Sequence, residues 1–426
     1  MTIKRMAQCA FVLFLTIMYS CSQKRSEKIL SSFENVHSDS VMYESKADSI
    51  SLGLNIVIAH HDIDKNSYLC LSDLVDTIYG VKLETTDESI IGTVDKIRIK
   101  NKCIYILDRY KTRSLRIFDL TGKYLLSVGR NGNGPGEYVE PTDFSVDQNG
   151  ITVYDQFQAK FLYYNLKGKF LREKRLPFTF VQFYQYSSNS YIMYGLDADN
   201  YHLKDLLDYS IWKCDSTFRI DRFGMYRKKD EYISILSNTA LNEFSNKLYF
   251  HDARKDTIYS VDSTGVLRYD YIVDFGRKTP PLSMFMVKND KEYMQNRNVD
   301  ERYVFGHNFA VTPHYFYYNF SMGSLLFHLI YSKKTGQVYS APRIINDVNY
   351  LFPFTNILTA EGDTLIGYSD AMSICDYYKK IPKDKWTQIK NQYGVVLANE
   401  GRAAKVFGES LRAEDNPVII FYVLKH

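Results

Sequence analysis

Tryptophan is nearly missing from this chain: there are 2, against 36 tyrosines and 26 phenylalanines. Cysteine is scarce too. The 6 cysteines are far apart and include no C-x-x-C, so zinc-ribbon and thiol-exchange chemistry have no support. Cys70, Cys103, Cys214 and Cys375 read as buried free thiols; an oxidising compartment would permit one disulfide, but spacing leaves its pairing open. Neither sign of charge prevails. A formal net charge of +4 over 426 residues, with no extended Lys/Arg run, gives no footprint for nucleic acid. The chain also lacks G-x-S-x-G, the phosphate-loop motif G-x-x-x-x-G-K-S/T, and any H-x-x-x-H pair. Its leading apolar run, AFVLFLTIM at 10–18, is too short to span a bilayer stably.

What the chain has in plenty is strand-forming sequence, and that sequence recurs. CIYILDRYKTRSLRIFDLTGKYL (103–125) returns as GITVYDQFQAKFLYYNLKGKFL (150–171) and, worn, as KLYFHDARKDTIYSVDSTGVL (247–267). Asp108 answers to Asp155 at a step of 47, and Gly122 to Gly168 at a step of 46. Four short strands and three turns need roughly 40–50 residues, so this is the period of a β-propeller blade. IYIL and ITVY are second strands, and LRIFD and FLYYN third strands. LTGK and LKGK are turns in which glycine takes a positive φ cheaply. KYLLSV and KFLREK close the blades as edge strands, with Lys and Arg opposing stray pairing. The aromatic excess fits, because aromatic and β-branched side chains fill pleated surfaces.

The pattern implies an all-β chain, a six-bladed β-propeller over 75–426. Blades are expected at 93–129, 137–176, 177–225, 229–275 and 303–344, with the sixth starting near 347. A strand at 79–92 should pair with PVIIFYVLK (417–425), so that an N-terminal strand joins the C-terminal blade and closes the ring. Residues 276–302 read as a polar insertion with a short helix across one face. Residues of about 376–413 read as a helical insertion in the last blade. Upstream, 1–20 reads as a signal peptide: Lys4 and Arg5 precede the apolar core, and Ser20 precedes Cys21 as in a lipid-attachment site. Residues 21–74 would then be the lipid-bearing Cys21 and a flexible polar tether. The expected address is the cell envelope, with a lipid anchor in the membrane. No acidic cluster follows Cys21, which favours a periplasm-facing anchor over the cell surface.

GRNGNGPGEY (129–138), followed by PTDFSVD, ITVYD and YYNLKGKFL, resembles the NHL-like six-bladed β-propellers. With the lipid-site motif, the polar tether and the C-terminal strand, the chain is similar to the six-bladed propeller lipoproteins of Bacteroidetes-type bacteria. The resemblance implies this fold and an envelope location. It brings no reaction and no catalytic residue set.

In a propeller, the connections between blades and the turns between second and third strands emerge on one face. That face should gather Arg109, Tyr110 and Arg113 from DRYKTRS, Arg130 from the glycine loop, and His251, Asp252 and Arg254 from HDARKDT. A funnel of Arg and aromatic groups suits a peptide, glycan or protein partner. His251 with Asp252 is the one pair to inspect at its mouth. The recurring Asp108, Asp155 and Asp252 read as turn residues accepting local N–H bonds. The glycine loop reads as a structural crossover in which Glu137 bonds backbone, so Gly134→Val should destabilise the fold. No helix follows it to favour phosphate. No metal ligands, cofactor site or catalytic residues emerge from spacing. The function that follows is ligand or protein binding. The alternative is a metal-assisted propeller enzyme of the lyase or lactonase type, with carboxylates drawn from separate blades.

Overall fold

In the strands that repeat most clearly, burial is continuous rather than alternating. Ile104, Tyr105, Ile106 and Leu107 are all buried, as is every residue of Ile151–Asp155 and of Thr257–Val261. A strand buried on both faces needs a packed neighbour on each side, which is the position of a middle strand within a propeller blade. The computed structural model describes residues 56–187, 189–195, 200–226, 240–287, 289, 291–293, 295 and 301–426. The signal peptide, Cys21 and most of the expected tether lie outside the described residues.

Six antiparallel sheets form the blades. Blade 1 is Lys96–Lys100, Cys103–Asp108, Ser114–Asp119 and Tyr124–Val128; blade 2 is Pro141–Val146, Ile151–Asp155, Lys160–Tyr164 and Phe170–Arg175. Blade 3 is Gln182–Ser187, Ser190–Tyr194, Tyr209–Asp215 and Ile220–Tyr226; blade 4 is Leu241–Phe244, Lys247–His251, Thr257–Val261 and Leu267–Asp274. Blade 5 is Val304–Val311, Tyr315–Met322, Leu325–Ser332 and Val338–Ala341. Blade 6 takes Ile357–Glu361, Thr364–Ser369 and Val418–Leu424 from the C-terminal part, and its outer strand, Val75–Lys82, from the N-terminal part. Within each blade the first-named strand lies innermost.

The ring therefore closes as expected, but with an earlier strand. Residues 83–92 leave the sheet because side chains satisfy their backbone: Ser89 Oγ accepts the Thr86 N–H at 2.8 Å, and the Asn416 amide donates to Glu84 O at 2.8 Å and Ser89 O at 3.0 Å. The closing strand is almost wholly inside. Val418, Ile419, Ile420, Tyr422 and Leu424 are at most 1 % exposed. Burying five such side chains contributes on the order of 10 kcal/mol.

The expected tether also needs correcting at its C-terminal end. Ile56–Ala59 pairs in parallel with the outer strand of blade 4, and Tyr68–Cys70 pairs in parallel with Arg343–Ile345 after blade 5. Leu71 and Leu74 are buried, and Asp347 accepts the Ser72 N–H at 2.9 Å and its hydroxyl at 2.5 Å. Apolar residues spaced among polar ones hid two short strands in a segment that reads as coil. The 276–302 insertion contains short 3-10 turns at Gly276–Lys278 and Leu282–Phe285.

In blade 6 the helical insertion is a pair, α1 (Ala371–Lys380) and α2 (Ala398–Ser410). A Cβ at Gly408 would meet the Tyr378 ring at 2.4 Å, and Tyr378 stacks on the buried Trp386 at 5.3 Å. Small residues thus let α2 lie close against α1. The four described cysteines are free thiols. Among the described residues no helix is long and apolar enough to cross a membrane.

The glycine loop is a crossover from blade 1 to blade 2. Tyr138 donates to Val128 O at 2.8 Å, Tyr164 to Gly136 O at 2.9 Å, and Glu137 Oε2 accepts the Gly134 N–H at 2.9 Å. Demand for glycine is strict elsewhere in the loop, for instance near its two ends. Gly129 (φ +67°) would place a Cβ 2.5 Å from the Tyr164 hydroxyl, and Gly136 (φ +72°) would place one 2.7 Å from the Phe170 ring. At Gly134 the nearest atom is a movable Glu137 oxygen at 3.1 Å. Gly136→Ala should therefore cost about 2 kcal/mol or more, from left-handed strain plus overpacking, and Gly134→Ala less than about 1 kcal/mol. Denaturant unfolding of both variants checks the order; equal losses would contradict it.

Candidate functional site

Each blade brings its inner strand to the axis, so the site is built from residues that sequence separates widely. Carboxylates at the ends of second strands, and an amide in the following loop of blade 3, hold the geometry. Asp108 accepts N–H bonds from Gly92 at 2.8 Å and Lys111 at 2.9 Å, tying the connector entering blade 1 to the turn of the same blade. Asp155 does the same with Val139 at 2.7 Å and Gln158 at 3.1 Å. In blade 3 the task falls to Asn200, which accepts the Thr179 N–H at 2.8 Å and donates to Thr179 O at 2.7 Å. Burial pushes the Asp108 carboxyl up, but bonds from Thr93, Lys111, Gly92 and Thr112 outweigh it and hold its pKa below the usual value. Asp155 is more deeply buried, and there burial prevails and raises the pKa.

The expected binding face is only partly assembled. The turn that carries Arg109, Tyr110 and Arg113 touches the first crossover, which carries Arg130, where Asn131 donates to Thr112 O at 3.0 Å. Tyr110 is exposed, with the Arg109 guanidinium 5.2 Å from its ring, while Arg109 itself is mostly buried. Arg113 is exposed, and the exposed Arg130 pairs with Glu137 at 2.6 Å. The blade 4 residues do not join them. His251 is fully buried between blades, edge-on to Phe309 and Tyr318, with Nε2 3.0 Å from Lys255 O. Burial lowers its pKa. Asp252 turns to Arg254 at 2.5 Å, both side chains nearly buried. His251 and Asp252 thus form no acid–base pair at a mouth: the strand end that carries them is roofed by aromatic side chains of blade 5.

The axis is filled by polar bridges. Lys96 of blade 1 pairs with Asp143 of blade 2 and donates to Phe144 O at 3.0 Å. Asp143 also accepts the Phe183 N–H of blade 3 at 2.9 Å, and Gln182 of blade 3 accepts the Leu241 N–H of blade 4 at 3.0 Å. Arg98 reaches across the ring to Asn242 Oδ1 of blade 4, and Asn242 donates to Leu358 O of blade 6 at 3.3 Å. These bridges take the place of a carboxylate–histidine cluster on the axis; among the described residues none of the latter is present there.

Past this plug, at the end where inner strands turn into second strands, lies a cavity of about 350 Å³. Arg98, Lys100 and Asn101 of blade 1 form one wall, Glu243, Ser245 and Asn246 of blade 4 a second, and Thr359, Glu361 and Gly362 of blade 6 a third. Lys100 stands 3.7 Å from Glu243. Burial lowers the Arg98 pKa, opposed by Glu243 and then Asp143. The cavity thus opens on the face opposite the one favoured by the sequence. It offers two cations, two carboxylates and several neutral donors and acceptors, a set able to hold a hydroxyl-rich or zwitterionic molecule. The same face carries a cluster of His314, Asp363 and His426.

A family profile described as a domain of unknown function, DUF4934, matches residues 54–423. Among solved structures, a Bacteroides fragilis protein described as exported shares 21% identity, with 88% of this chain and 100% of that chain covered and a TM-score of 0.69. A member of the duf4221 family from Bacteroides vulgatus shares 10%, covering 83% and 97%, with a TM-score of 0.48. A virginiamycin B lyase from Staphylococcus aureus shares 11%, covering 68% and 80%, with a TM-score of 0.36. The first supports the fold; the other two overlaps do not bear on function. No curated protein matches the chain in sequence.

The axial plug has a pH signature. Burial pushes the Lys96 pKa from 10.5 down to about 8, with Asp143 opposing. Between those values the unfolded chain binds more protons at this site than the folded one, so its contribution to stability rises with pH. The stability difference between wild type and Lys96→Met should therefore grow by roughly 3 kcal/mol from pH 8 to pH 10.5. Urea unfolding of both proteins across that range measures it, and a flat difference would remove the buried cation from this account.

Proposed function

We propose that this chain, which belongs to the DUF4934 family, is an exported cell-envelope propeller that binds a small polar ligand, a sugar unit or short peptide, in the cavity between blades 1, 4 and 6. The observation that carries the reading is the composition of that cavity. Its volume of about 350 Å³ is within the range of small-molecule sites. Its walls pair Arg98 and Lys100 with Glu243 and Glu361, so carboxylates, ammonium groups and hydroxyls all find partners.

Export rests on Lys4 and Arg5 ahead of the apolar run at 10–18, and on the likeness to a Bacteroides protein described as exported. Ser20 before Cys21 supports a lipid anchor at Cys21, facing the periplasm. The strands at 56–59 and 68–70 pair with the ring, so the proposed tether is confined to the residues before them.

Two experiments test this. Metabolic labelling with a palmitate analogue should mark the wild type in the membrane fraction and leave Cys21→Ala unmarked; equal labelling would sink the anchor. Calorimetric titration of the detergent-solubilised full chain with acidic and neutral oligosaccharides and short peptides should find one binding class. Lys100→Ala and Glu361→Gln should weaken that binding about tenfold or more, because each leaves a ligand group without its partner. Tyr110→Ala and Arg113→Ala should leave it unchanged. The reverse pattern would move the site to the crossover face.

A further inference from the structure

We infer that His314, Asp363 and His426 form a binding site for one divalent first-row transition ion, a clasp between blade 5 and blade 6. Three separate segments supply the donors. His314 lies in the turn between the inner and second strands of blade 5, Asp363 in the equivalent turn of blade 6, and His426 just beyond the closing strand Val418–Leu424. One ligand atom from each lies within 4.8 Å of the others. His314 Nδ1 is 2.7 Å and His426 Nδ1 3.7 Å from the same carboxylate oxygen, Asp363 Oδ2. Donors around a tetrahedral zinc ion, at bond lengths near 2 Å, stand about 3.4 Å apart. The two separations from Asp363 bracket that value, and the remaining pair lies within 4.8 Å.

The carboxylate is already aimed. Its other oxygen, Oδ1, is occupied by the His314 N–H at 3.0 Å, and the Asp363 carbonyl accepts the Leu424 N–H at 2.8 Å. Thr312 also hydrogen-bonds the carboxylate, and Oδ2 faces both imidazoles. The Asp363 side chain is 8% exposed, whereas His314 and His426 are 50% and 71% exposed, so an ion has an open approach and room for a water ligand. Two imidazoles with one carboxylate suit Zn2+, Cu2+ or Ni2+ rather than the hard cations Mg2+ and Ca2+. A nearby cation, Lys333, works against the bound charge; burial lowers its own pKa to about 8, opposed by Asp363. Spacing could not reveal this site, because its members sit on two different blades and a tail.

The test uses full-length protein purified without a histidine tag, and the metal alone. Zn2+ titration by calorimetry should give one site per chain, and Co2+ should give visible absorption bands of a low-symmetry nitrogen–oxygen site. His314→Ala and His426→Ala should each weaken Zn2+ binding by about tenfold or more. Both positions are exposed, so both variants should keep the wild-type melting temperature in chelator; saturating Zn2+ should raise the wild-type value and leave the double variant unmoved. Absence of stoichiometric Zn2+ binding would overturn the inference. So would binding that persists in the double variant, which would put the ion elsewhere, for instance at His60 and His61.

Discussion

The structure depends on one pairing: Val75–Lys82 against Val418–Leu424, the two ends of the ring joined as neighbouring strands. A sheet left open presents unpaired N–H and C=O groups, and this pairing completes the last blade with a strand from the other end of the ring. The pairing runs from Val418 opposite Lys82 to Leu424 opposite Val75, and it buries the most apolar strand of the chain. The cavity follows from it. One of its walls belongs to blade 6, and the bond from Asn242 to Leu358 O that backs the axial plug also ends there. Without closure blade 6 lacks its outer strand, and the third wall has no fixed position.

What could be read in the sequence is what is local. Asp119, Asn165, Asp215 and Asp262 each accept N–H bonds two and four residues ahead, so the same turn recurs with the same letters in four successive blades. The first blades were legible for that reason, and the closing strand Val418–Leu424 for its continuous apolar run. Pins between elements were less so. Asp108 and Asp155 share a letter and a register, but Asn200 does their work from the far side of a longer loop, and no periodicity marks it. The segment 56–74 failed as a tether for a related reason: its strands are short, parallel and docked on partners hundreds of residues away.

The candidate site was the least legible part. Sequence attention went to cationic turns, since Arg-rich exposed loops are conspicuous, and the turn register does put Arg109, Arg113 and Arg130 on one face. Burial decides differently for His251 and Asp252, whose strand end blade 5 covers. Arg98, Lys100, Glu243 and Glu361 lie on inner strands, which repeat weakly because each faces a different stretch of the axis. Their partners are set by the ring, on blades that have no fixed spacing in the chain.

The charges on the axis call for an explanation beyond stability. A buried ion pair gains little over a well-packed apolar pair, since desolvating both charges offsets most of their attraction. Lys96 shows the cost directly, its pKa held near 8 despite a carboxylate partner. An apolar plug of equal volume would close the axis at less expense. It would not set the register of the bridged inner strands, because apolar contacts tolerate sliding, whereas Asp143 must meet Lys96 and the Phe183 N–H at once. It would also leave the floor of the cavity without the Arg98 cation, whose contact with Asn242 fixes it in place before any ligand arrives. Preorganised charge of this kind spares a ligand the entropy of ordering its own receptor. The axial network is thus best understood as the support of the site: it holds the strands in step and keeps one polar wall rigid, at a cost in desolvation.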